Sequence, residues 1–248
     1  LPEMYSCVEA DAAADIPVAF DFDKFVVHSA ENQRELAQLI RDGILDKTRN
    51  RFNVWRMCLG ALSFESDWQQ KVEQLREDRQ KYDELESKYV KKLETKKPAP
   101  EAPVAVSKNP LAQKMLSKQA RQSPLCKLTI RFQGEILKDV QRTYQEKEFF
   151  TSSYVSELLS KVLFIWAKEN PDISYVQGIN EIGASVIYVY FAAAVDRERK
   201  YREFEGVVDE TISDNCRLRD RYILANSREY AEADIYAVFS RLMNSGHK

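Results

Sequence analysis

Hydrophobic positions recur at helical spacing along most of this chain. In ENQRELAQLIRDGI, Leu36, Leu39 and Ile40 mark one face, and Gly43 ends the run. KTRNRFNVWRMCLGAL carries a second stripe at Phe52, Trp55, Leu59 and Leu62. From Asp67 to about Lys97, Trp68, Val72, Leu75, Tyr82, Leu85, Tyr89 and Leu93 keep a three-four rhythm that breaks at Arg79. That predicts a long surface helix with one packed face, not a coiled coil. EILKDVQRTYQEKEFF, from Glu135 to Phe150, sets Ile136, Leu137, Val140 and Tyr144 on one face of an amphipathic helix, with Arg142 on the opposite side. SYVSELLSKVLFIWAKENP is apolar nearly all round between Val162 and Ala167, which predicts a central helix ending at Asn170-Pro171. A further element is predicted to start near Asp172 or Ser174. Its run from Ile182 to Val195 is shorter than the about 20 residues of a membrane span. It reads as a buried helix, with a strand as the alternative because VIYVYF is β-branched and aromatic. The last pattern, YAEADIYAVFSRLMNSG, carries Ile235, Val238, Phe239 and Leu242.

Three segments lack this period. Residues 1–30 read as an N-terminal extension. Residues 98–124 open with Pro98, Pro100, Pro103 and Pro110 and read as an insertion or linker. Residues 195–227 are dense in charge and read as a solvated insertion. Only seven glycines accompany 31% charged residues, which favours an all-α fold over a sandwich or a Rossmann fold. Lysine plus arginine total 37 against 39 acidic residues, so a nucleic-acid partner is not expected. Cys7, Cys58, Cys126 and Cys216 form no C-x-x-C pair, and His28 and His247 are the two histidines. A metal cluster and a disulfide framework are therefore not expected, and reduced thiols suggest the cytoplasm. The chain has no signal-peptide pattern and starts at Leu1, so its native start is expected to be missing.

Nucleotide-binding loops, nucleophile elbows and zinc-protease motifs are all absent from the sequence. Three patterns remain in fixed order: Arg51-x-x-x-Trp55, then Ile136-x-x-Asp139-x-x-Arg142-Thr143, then Tyr175-x-Gln177-Gly178 followed by Ile179-Asn180. Taken alone, Asp139 and Arg142 are a solvated i,i+3 ion pair worth about 0.2–0.5 kcal/mol.

In this order the patterns resemble the TBC domain, the helical module of Rab GTPase-activating proteins. The resemblance runs from about Glu31 to the C-terminus. NPLAQ, DVQRTYQEKEFF, VLFIWAKENPDISYVQGINE and EYAEADIYAVFSRLM look most like the branch associated with the endosomal retromer coat. Ile179 stands where the family more often has methionine.

The resemblance implies an all-α helical array over 31–248. It also implies that Arg142 and Gln177 act as catalytic fingers in trans on a Rab-family GTPase. Asp139 would hold the Arg142 region, Thr143 would make a backbone or packing contact, Tyr175 would pack and not react, and Gly178 would be a supporting residue. Arg51 and Trp55 would be framework. The partner would bring GTP and Mg, leaving this chain with no cofactor of its own. A second expected partner is an endosomal sorting coat, with membrane association only through partners. The family fold has two helical halves, and most of the second is expected to be missing here. The alternative is a TBC-like scaffold or adaptor without catalysis.

Overall fold

The computed structural model describes residues 29–43, 51–63, 68–91, 134–205 and 228–245, and those residues form helices and turns with no strand among them. Helix α1 spans Ala30–Arg41. Ser29 caps it, its Oγ accepting the Glu31 and Asn32 N–H groups at 3.2 Å each. It stops at Asp42, before Gly43 at φ 71°, a left-handed conformation glycine adopts without steric cost. Helix α2 spans Arg51–Cys58. Helix α3 spans Trp68–Glu86 and runs into a π-helical turn, Ser87–Lys91. Residues 134–140 form α4, and Glu148–Thr151 the short α5. Helix α6 spans Ser153–Glu169, α7 Ile179–Glu205, and α8 Ala231–Ser245 after a 3-10 turn at Arg228–Tyr230.

Helix α6 is central, as its all-round apolar sequence predicts. It buries Leu158, Leu159, Val162, Leu163, Ile165 and Trp166, each worth about 1.5–3 kcal/mol relative to exposure. Helices α7 and α8 pack on it and on each other, α2 packs on α7, and α3 packs on α8. At Gly183 side chains of α6 press on the α7 backbone: a Cβ there would lie 2.8 Å from Leu159 Cδ1. Trp166 and Phe239 meet edge to face at 5.8 Å, tying α6 to α8.

Arg79, which breaks the apolar rhythm of α3, is itself in the core. Its Nε and Nη2 donate to the two oxygens of Asp234 at 3.0 Å each. Arg56 Nη2 approaches the same carboxylate at 2.6 Å. Three helices thus share one buried ionic cluster, and α8 is buried round most of its first turns instead of along a single stripe.

Several expectations change. The helix expected over Glu135–Phe150 stops at 140, and residues 141–146 are turns. Leu137, expected on the packed face, is 48% exposed. The ladder tightens because the Arg142 and Thr143 N–H groups bond the Asp139 and Val140 carbonyls three residues back. Tyr144 then turns left-handed at φ 43° and packs on Phe150 at 5.3 Å. Helix α7 starts at Ile179, later than expected, because Ser174 is left-handed at φ 60° and its N–H bonds the Asn170 carbonyl at 2.7 Å. VIYVYF is helical. Residues 195–205, expected in an insertion, continue α7, as suits a run of Arg, Lys and Glu. The extension, the proline-rich segment and the rest of the charged segment lie outside the described residues, apart from Ser29 and Ala30. Among the described residues no helix is long and apolar enough to cross a membrane.

Candidate functional site

The second and third sequence patterns meet in space, across the turn after α4 and the loop before α7. Asp139, on the last turn of α4, is only 8% exposed, and its two carboxylate oxygens face different partners. Oδ1 takes a short contact from Arg142 Nη2, and Oδ2 accepts from the Tyr175 hydroxyl at 2.8 Å. Arg142 Nε also donates to the Lys138 carbonyl at 3.2 Å. The Arg142 side chain is 67% exposed. An ion pair this wet contributes about 1 kcal/mol or less. Its consequence is direction: two bonds on one edge of the guanidinium hold a solvated cation in a set orientation.

Thr143 and Asn180 make a second crossing beneath the first. The Thr143 hydroxyl donates to the Asp139 carbonyl at 2.8 Å and accepts from Asn180 Nδ2 at 2.9 Å. Asn180 Oδ1 accepts the Gly178 N–H at 3.2 Å, with the Tyr175 hydroxyl at 3.4 Å. Both Thr143 and Asn180 are buried. Gln177, held between Tyr175 and Gly178, is exposed, as is Val176 beside it. Gly178 takes φ 103°, where an L side chain is strained, so the chain after Gln177 turns as only glycine turns easily. Left-handed residues thus follow both exposed side chains closely: Tyr144 after Arg142, Gly178 after Gln177.

Burial first, and then the bond to Asp139, push the Tyr175 phenol above its ordinary range, so it stays a donor to Asp139 into alkali. Chemically the site offers a directed guanidinium and an exposed carboxamide on two adjoining turns. A guanidinium can stabilise charge on phosphoryl oxygens, and a glutamine amide can orient water.

Asp139, Arg142, Thr143, Tyr175, Gln177 and Gly178 therefore lie in two adjoining turns. Arg51 and Trp55 stand on α2, the arginine half-buried at its first turn and the tryptophan packed against the core. Asn180 closes the third sequence pattern, but its place there does not reveal its role. The available signal is an amide two positions after a glycine at a helix start, which also fits an ordinary turn.

The family model for the Rab-GTPase-TBC domain matches residues 105–248, more than half of the chain. TBC1 domain family member 5 of Homo sapiens is 32% identical over 116 residues, covering 44% of this chain and 12% of that protein. TBC1 domain family member 5 homolog B of Dictyostelium discoideum is 32% identical over 105 residues, 42% of this chain and 9% of that protein. The GTPase-activating protein gyp1 of Schizosaccharomyces pombe is 24% identical over 110 residues, 44% of this chain and 18% of that protein. The chain thus matches less than a fifth of the length of each of these relatives. No solved structure matches it.

Proposed function

The chain belongs to the Rab-GTPase-TBC domain family, and from that premise we propose that it activates a Rab-family GTPase by lending Arg142 and Gln177 to the partner's active site. The observation that carries this reading is the exposed pair on two turns tied by a part-buried bond, Tyr175 to Asp139, and a buried one, Asn180 to Thr143. GTP hydrolysis spreads charge over the transferring phosphoryl oxygens, and the Arg142 fork supplies donors to them. An arginine supplied in trans is worth about 10³–10⁵ in rate, or roughly 4–7 kcal/mol of barrier. The Gln177 amide orients the attacking water. The chain needs no nucleotide loop, since GTP and Mg arrive with the partner, and it is an activator of another protein's chemistry. We place it in the cytoplasm, recruited to endosomal membranes through partners such as a sorting coat.

The test is single-turnover GTP hydrolysis by a panel of Rab GTPases, with and without the chain. Stimulation of at least one member, abolished by Arg142→Ala, is the expected result. Tight binding of a Rab without any acceleration would overturn it in favour of a non-catalytic scaffold.

A further inference from the structure

We infer that Asn180 is a positioning residue, clamping the Arg142 turn to the Gln177 turn so that both side chains meet one partner in fixed register. This inference rests on the reading of the chain as a GTPase activator.

The bond directions carry it. The Thr143 hydroxyl spends its proton on the Asp139 carbonyl, 2.8 Å away, so it can only accept from residue 180. Asn180 meets that need with Nδ2, while its Oδ1 takes the Gly178 N–H. The result is a one-way relay, from Gly178 N–H to Asn180 to Thr143 to the Asp139 carbonyl. It begins one residue after Gln177 and ends three residues before Arg142.

An ordinary local role would need only half of this side chain. Bonding the Gly178 N–H requires an acceptor, and aspartate supplies one as well as asparagine does. Reaching Thr143 requires a donor, which aspartate lacks. Aspartate would also set a second carboxylate near Asp139, since the Tyr175 hydroxyl lies 2.8 Å from Asp139 Oδ2 and 3.4 Å from Asn180 Oδ1. Asn180→Asp therefore separates the two roles. So does Thr143, where serine keeps the hydroxyl and valine removes it.

The experiment compares the full chain with Asn180→Asp, Thr143→Val, Thr143→Ser and the Asn180→Asp/Thr143→Val double variant. Two readouts are taken: stimulated GTP hydrolysis on a responsive Rab, and amide hydrogen exchange. A finger displaced by about 1 Å can cost about 10²-fold. Asn180→Asp and Thr143→Val are expected to lower the maximal rate by about 10–100-fold with apparent Rab affinity nearly unchanged. Thr143→Ser should stay near wild type, and the double variant should be no worse than either single one. Exchange should quicken at both 139–144 and 175–180 when the relay is cut.

Wild-type rates with Asn180→Asp, losses that multiply in the double variant, or faster exchange confined to 175–180 would each overturn the clamp. Were the wild-type chain to stimulate no Rab in the panel, the activator reading would fall. The exchange pattern alone would then judge the clamp.

Discussion

On the proposed reading, Arg142 does little for the fold and much for the partner's chemistry. Its pair with Asp139 is worth about 1 kcal/mol or less to the fold because the guanidinium is mostly in solvent. Aimed at a phosphoryl oxygen in a site closed to water, the same group acts at a much lower dielectric. Arg142→Lys keeps the charge and loses the planar fork. We expect it to lose most of the stimulation of a responsive Rab while unfolding within about 0.5 kcal/mol of wild type. Hydrolysis rates and a denaturant titration on the same preparation check both halves. Full stimulation by the lysine variant would return Arg142 to the role of a solvated charge.

Among the elements, the decisive contact is the ionic cluster joining α2, α3 and α8. Asp234 faces two arginines in the core, Arg56 and Arg79, both nearly inaccessible. The Arg79 guanidinium also lies over the Tyr230 ring at 4.2 Å, just before α8 begins. Taking such groups out of water costs several kcal/mol per ion, so the cluster adds little net stability. Removing one member is a different matter, since it strands the others. Asp234→Ala should therefore cost about 3–5 kcal/mol, and a denaturant midpoint compared with wild type measures it. A loss below about 1 kcal/mol would mean that the arginines relax to water without the carboxylate.

For the molecule as a whole, the protein's response to alkali follows from phenols that are buried, Tyr82 and Tyr236, or half-buried, Tyr175. Tyr82, Tyr175 and Tyr236 are each pushed up chiefly by burial, with Glu232, Asp139 and Glu169 respectively as further causes. Their folded values lie above the unfolded value of about 10. The stability they favour is therefore complete below about pH 10 and drains away as pH rises through 10 toward the folded values. We expect the denaturant midpoint to fall steeply above about pH 10, and part of the tyrosinate absorbance to appear only with unfolding. Full tyrosinate amplitude in the still-folded chain would contradict this.

The sequence by itself determined the helical class, the central place of α6 and the outward position of Arg142. Period and motif spacing are local properties, and burying an apolar stripe is favourable wherever it packs. Val162 to Ala167 could only be interior, and Gly43 and Asn170-Pro171 had to end helices. Tertiary structure decided the rest, because bonds between distant residues leave no period. Arg79 reads as a break in a stripe until Asp234 arrives from far along the chain. The helix expected through Arg142 ends early because Thr143 finds Asn180 across the site and Tyr144 finds Phe150. Whether Arg142 is a loose surface charge or a mounted one depends on Tyr175 reaching the other oxygen of Asp139, a contact set by how α6 returns the chain.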